Sequence, residues 1–203
     1  MINRRGIYKD VYGTPKDREW SDYQLRCNYP IAMTVAPELF DPAHAISALQ
    51  IADKFLKSPM GMRTLDPADA QFRPIYDNSN DSDDPTIAKG MNYHNGPEWG
   101  WPLGFFLRAY LHFDSQVPGR VSPLHHDNEQ SPQSTIQNLQ DTLHMCYMAL
   151  LPCRRHIQED PWRGIPEVTH PGGTYCHDSC HTQAWSGSTL LDFLEDVNRL
   201  QKD

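Results

Sequence analysis

The sequence predicts an all-α fold with long, structured loops, and three observations carry that expectation. Four segments repeat apolar residues at helical spacing. No stretch alternates apolar and polar residues over several strands. The 17 prolines, 12 glycines and five tryptophans in a chain only 38% hydrophobic describe loops that carry aromatic side chains.

Taken in chain order, a short helix is expected within Tyr23 to Ala36, interrupted by Pro30. The next opens at Asp41-Pro42, because Asp41 can cap and proline suits the first helical position. Ile46, Leu49, Ala52, Phe55 and Leu56 then recur on one face, and Ser58-Pro59 ends it. PEWGWPLGFFLRAYLHF predicts a helix from Pro97 or Pro102 to about Phe113, apolar nearly all round and therefore deeply buried. A further helix is expected from near Ser134, carrying Ile136, Leu139, Leu143, Cys146, Tyr147 and Leu150, with Pro152 kinking or breaking it. The last begins near Thr182 and presents Trp185, Leu190, Leu191, Leu194 and Val197.

Between these lie two long connections. Pro59 to Gly96 runs for about forty residues without a helical stripe, yet its Met62, Leu65, Phe72, Ile75, Tyr76 and Tyr93 argue for an ordered, functional loop. Ser115 to Pro132 is polar and expected to be mobile.

At 203 residues the chain has the size of one domain or a piece of a larger one, with no second complete domain. A net charge of -8 offers no attraction for phosphate backbones or anionic lipid, so neither nucleic acid nor membrane is an expected partner. No apolar run approaches the roughly 20 residues that span a bilayer, and MINRRGIYKD lacks the apolar core of a secretory signal. The expected compartment is therefore the cytoplasm, where the five scattered cysteines would be reduced thiols.

Four constellations could carry chemistry. In DNSNDSDDP, Asp77 to Pro85, spaced oxygens resemble a calcium loop, but the glycine and terminal glutamate of an EF-hand are out of place; a solvated acidic loop is favoured, with sugar-hydroxyl binding as the alternative. CHDSCH, Cys176 to His181, offers four soft ligands too close together to converge on one tetrahedral ion, so no metal is expected. His125-His126 reads as a solvated pair. NYHNGPEWGWP, Asn92 to Pro102, gathers a carboxylate, an imidazole, two indoles, a phenol and two amides, the mixture of stacking faces and hydrogen-bonding rims that a sugar site needs. The bland alternative is that Trp99 and Trp101 pack the helix start and Glu98 caps it. Finally, Glu167 follows Trp162 and Pro166 in a loop leading to the last helix, where a carboxylate could act as general base in glycoside hydrolysis.

The segments RRGIYKDVYG, DYQLRCNYPIAMTVAPELF, PMGMRTLDPAD, IYDNSNDSDD, AKGMNYHNGPEWGWPLGFFLRA, PWRGIPEVT and SCHTQAWSGSTLL together resemble, in order, the amylo-α-1,6-glucosidase domain of glycogen debranching enzymes, in its C-terminal part. That resemblance implies a partial (α/α)6-barrel, roughly the C-terminal half of a six-hairpin toroid, and inverting hydrolysis of α-1,6-linked glucose at glycogen branch points. It implies Glu167 as the general base, and a sugar pocket lined by Asp66, Tyr76, Asp77, Tyr93, His94, Glu98, Trp99 and Gln183. No cofactor is implied; the expected partners are glycogen or a branched limit dextrin, and the other half of the enzyme.

The sequence also departs from the family. The family's general acid is an aspartate in an Arg-Asp-Thr segment, and the chain contains no such tripeptide. The acid half of the barrel and the 4-α-glucanotransferase domain are therefore expected to lie outside this chain, leaving it incomplete as an enzyme. A non-catalytic module that binds α-glucan or a partner is the rival expectation, and a piece with no independent fold is a third.

Overall fold

The computed structural model describes residues 6–117 and 132–200. The His125-His126 pair, most of the Ser115 to Pro132 stretch and the side chain of Ile136 lie outside the described residues. Five α-helices make up most of the regular secondary structure among these residues: α1 (Tyr29–Val35), α2 (Pro42–Phe55), α3 (Pro102–Asp114), α4 (Pro132–Glu159) and α5 (Ala184–Leu200). Short 3-10 segments at Lys16–Tyr23, Pro37–Leu39 and Ala88–Gly90 punctuate the loops. None of these helices is long and apolar enough to cross a membrane.

Helix α3 is buried nearly all round because α1, α2, α4 and α5 all pack against it. Its Leu103, Phe106, Leu107, Ala109 and Phe113 form the centre of the main core. Two hydroxyls tie the neighbours in: Thr34 of α1 donates to the Phe105 carbonyl at 2.9 Å, and Tyr29 donates to Ala48 of α2 at 2.7 Å. On the other side Arg108 Nε reaches Asp196 of α5 at 2.6 Å. Close approach of α3 and α5 requires Gly104, since a Cβ there would lie 2.3 Å from the Thr189 backbone. Gly104→Ala is accordingly expected to force these helices apart and cost about 1–3 kcal/mol, measurable as a lower midpoint in urea unfolding.

The helix starts agree with the sequence where capping chemistry is strong. Asp41 accepts from the His44 amide at 2.9 Å, and Pro42 and Pro102 occupy the first turns of α2 and α3. Three expectations are corrected. Pro30 sits in the first turn of α1 and starts that helix instead of interrupting it. Pro152 lies inside a continuous α4; it deprives the Met148 carbonyl of an intrahelical donor, but Met148 is exposed, so water can serve. Phe55, Tyr147, Trp185, Leu191 and Leu194, expected on inward faces, are exposed.

A small sheet, invisible to periodicity, joins the loops. β1 (Met62–Arg63), β2 (Glu98–Trp99) and β3 (Val168–Thr169) are antiparallel in that order, with Arg63 opposite Glu98 and Glu98 opposite Thr169. Two residues cannot display a period of two, which is why no strand signal exists.

All five cysteines are free, and only Cys180 is exposed. Burial pushes the thiols of Cys27, Cys146 and Cys153 up to about 12. In the unfolded chain a thiol titrates near 8.5, so above that pH the unfolded state sheds protons that the folded state keeps. Stability is therefore expected to be undiminished by these thiols below about pH 8.5 and to decline from there toward about 12. A thiol reagent at neutral pH should label Cys180 rapidly and the other four only on unfolding.

Candidate functional site

Glu167 is held by backbone on both sides. Its amide donates to the Cys180 carbonyl at 2.9 Å, and its own carbonyl accepts from Gly100 at 2.9 Å. The next residue, Val168, donates to Ser179 Oγ at 2.9 Å. Pro166 before it fixes φ, so the carboxylate is presented from a segment with little freedom.

One of the two carboxylate oxygens is occupied: the Tyr93 hydroxyl donates to Glu167 Oε1 in a short hydrogen bond. Oε2 has no hydrogen-bond partner among the described residues, which leaves it able to accept a proton. Burial, and next the hydrogen bond to Glu167, raise the Tyr93 hydroxyl well above the ordinary phenol value, so it remains a donor at any working pH.

Tyr93 arrives there because the long loop is pinned. Asn92 is fully buried and donates to the carbonyls of Arg73 and Ile75 at 2.8 and 2.7 Å. Gly90 lets the Tyr76 ring approach, since a Cβ at Gly90 would lie 2.7 Å from it. The Tyr93 ring then meets Tyr76 at 5.2 Å, His94 at 5.0 Å and Trp99 at 5.0 Å between centroids. His94 also packs edge-on against Trp99 at 4.9 Å, and its imidazole is held below the ordinary value by desolvation and then by Arg26. The strip continues from Trp99 to Trp101 at 5.9 Å, and Trp101 stacks on Trp185 at 4.0 Å and 11°.

Trp99 is 8% exposed, and its Nε1 has no hydrogen-bond partner among the described residues. A buried indole N–H almost always finds an acceptor, so this one is an unmet donor inside the aromatic strip.

Of the residues expected to line a sugar pocket, the fold gathers Tyr76, His94 and Trp99 around the ring of Tyr93, whose hydroxyl reaches Glu167. Asp77 lies at the start of the acidic loop. Its carboxylate accepts from the Ser79 amide and hydroxyl at 2.9 and 2.7 Å, which lower its pKa, and it lies against Asp178. The rest of the acidic loop is mostly exposed and closed by its own side-chain turns, in keeping with a solvated loop. Asp66 is buried in a local turn, accepting from the Ala68 amide at 2.8 Å. Gln183 accepts from Ser186 Oγ at 3.0 Å just before α5.

Glu98, also expected in the pocket lining, is a buried carboxylate at the centre of the small sheet. It is 1% exposed, and its carboxylate accepts from the amides of Gly172 and Gly173 at 3.3 and 3.0 Å and from Thr169 Oγ1 at 3.4 Å, with Arg63 Nε at 3.4 Å. It stitches the sheet together beneath the aromatic strip.

Sequence reasoning missed Asp178, which accepts from the Asn78 amide at 3.0 Å and joins the acidic loop to the Glu167 loop. Within CHDSCH only the cysteines and histidines were weighed, as ligands too close together for one ion. Among the described residues no cluster of His, Cys, Asp and Glu could hold a metal ion. The Trp101–Trp185 stack was also missed, because Trp185 was counted toward a helix face.

The family described as amylo-alpha-1,6-glucosidase matches residues 2–192. A glycogen debranching enzyme of Saccharomyces cerevisiae is 48% identical over 196 residues, covering 97% of this chain. The chain spans 12% of that relative's length.

Proposed function

Since the chain belongs to the amylo-alpha-1,6-glucosidase family, we propose that it carries the water-activating face of an inverting glucosidase that removes α-1,6-linked glucose from branched α-glucan. The observation that carries this reading is the Glu167–Tyr93 pair set in a cage of aromatic rings.

In this reading Glu167 Oε2 takes a proton from the water that attacks the anomeric carbon, while Tyr93 holds Oε1 and fixes the carboxylate plane. Tyr76, Tyr93, His94 and Trp99 supply faces for the C–H surfaces of the glucose ring. Asp77 and Gln183 serve hydroxyls at the rim. Glu98 and Asp66 act from behind, through the backbone they hold.

Inversion needs a second carboxyl on the opposite face of the sugar, about 6.5–9.5 Å from the base, to protonate the leaving oxygen. In the absence of an Arg-Asp-Thr segment, that acid is assigned to a part of the protein outside these 203 residues. What supports a shared (α/α)6-barrel is a groove of about 830 Å³ between α4 and α5, lined by Leu150, Leu151, Ile157, Leu190, Leu191 and Leu194, where further helices would pack.

Hydrolysis of branched limit dextrin that disappears on Glu167→Gln tests the reading. The missing acid segment favours one rival, a module that binds glucan without turning it over; that rival predicts glucan affinity with no hydrolysis in any assembly.

A further inference from the structure

We propose that a pocket beside the Glu167 loop, walled by His156, Asp160, Tyr175 and His181, is a second α-glucan binding site, extended by the ring of Trp162. The inference rests on the reading of the chain as acting on branched α-glucan.

Three rings form a parallel stack on the surface. His181 lies between Trp162, at 5.4 Å and 8°, and Tyr175, at 5.3 Å and 10°. Trp162 is 64% exposed and Tyr175 63%. Leaving so much aromatic surface in water forgoes roughly 25 cal/mol for every Å². These rings are nevertheless built in place. The Trp162 amide donates to Asp160 Oδ1 at 2.8 Å, and Arg163 behind it adopts φ 53°. Tyr175 follows a tight hairpin closed by the His170 amide on the Thr174 carbonyl at 2.9 Å, with Gly172 and Gly173 at φ 77° and 73°. Its hydroxyl rests 3.3 Å from His181 Nε2. Rings that are already ordered lose little entropy when a ligand stacks on them.

The pocket encloses about 170 Å³, room for one sugar ring. Its polar groups have spare capacity. The His156 imidazole makes no hydrogen bond to a described residue, and Asp160 uses only Oδ1, so an acceptor and an imidazole are available to hydroxyls. Among the described residues no lysine or arginine lines it, which disfavours phosphorylated or carboxylated ligands. Apolar ring faces, an imidazole, a carboxylate oxygen to accept from hydroxyls, and the absence of fixed positive charge among the described lining residues together fit an uncharged sugar.

The site is separate from the catalytic face: none of Glu167, Tyr93, His94, Trp99 or Gln183 lines it. It lies behind that face and shares with it the segment around Pro166, Val168 and Thr169 together with Gly173, Cys176 and Ser179. A branched polymer presents many chain ends, so a second contact on the same chain would hold one branch and raise the local concentration of another at Glu167.

The test measures binding of maltohexaose, a linear α-1,4 oligosaccharide, to the full 203-residue chain by calorimetry. Tyr175→Ala and His156→Ala are compared with Glu167→Gln, each variant checked for wild-type helix content and cooperative unfolding. The expected result is binding weakened at least about fivefold by Tyr175→Ala and by His156→Ala but retained in Glu167→Gln. His156 lies in the last turn of α4 and its side chain makes no hydrogen bond to a described residue, so its replacement should leave folding intact. No binding by the wild type, unchanged binding in both pocket variants, or loss of binding in Glu167→Gln would each overturn the proposal. The hydrolytic reading is judged separately, by turnover of branched dextrin, and survives or fails independently of these outcomes.

Discussion

Replacing Glu167 by glutamine is expected to lower hydrolysis of branched limit dextrin by on the order of 10²–10⁴-fold in the protein that contains both this chain and the proton donor. The amide keeps the size of the side chain and can still accept from Tyr93, so the aromatic cage should persist. What it loses is the basic oxygen at the Oε2 position. Thermal and urea midpoints near those of the wild type would separate lost chemistry from lost structure. Turnover above a tenth of wild type, in a folded protein, would remove Glu167 from the base role.

Tyr93→Phe refines the same test by removing the hydroxyl that holds Glu167 Oε1 while keeping the ring. Turnover should fall by on the order of tenfold with the urea midpoint little changed, because the carboxylate loses the donor that fixes its plane. A tyrosine needed only for its ring would leave turnover unchanged.

Glu98→Ala is expected to give the largest loss of stability in the site, about 2–4 kcal/mol. The carboxylate is buried and serves the Gly172 and Gly173 amides, Thr169 Oγ1 and Arg63 at once. Truncation leaves those donors without an acceptor in a place water reaches poorly, and the partly exposed Arg63 recovers only some of its hydration. Glu98→Gln should lie between the two, because an amide offers one acceptor where two are used. Because β2 carries Trp99 and contacts the Glu167 backbone through Gly100, loosening it should also depress turnover. Urea unfolding of Glu98→Ala indistinguishable from wild type would contradict this placement.

Much of the scaffold could be read from residue order alone. Asp41-Pro42 and Pro102 announced helix starts, because a capping oxygen or a fixed φ acts within one turn. The apolar girdle of α3 announced a central helix. Pro152 misled: its cost depends on whether a freed carbonyl meets water, and that depends on which face of α4 is exposed. Leu191 and Leu194 misled in the same way, since spacing shows that residues share a face but not whether these residues have a neighbour to cover them.

The two carboxylates of the site show where legibility stops. By itself the sequence determined that the chain is helical, loop-rich, acidic and furnished with aromatic loops, and its motifs singled out Glu167 from other glutamates. Those properties reside in composition, in local capping and in contiguous words. Only the tertiary structure decided that Glu98 faces inward onto Arg63 and two glycine amides, that Tyr93 crosses 74 positions to reach Glu167, and that Asp178 ties the acidic loop to the Glu167 loop. Two-residue strands and single long-range hydrogen bonds leave no periodic trace, because the partners that define them are distant in the chain and meet only once the core around α3 has formed.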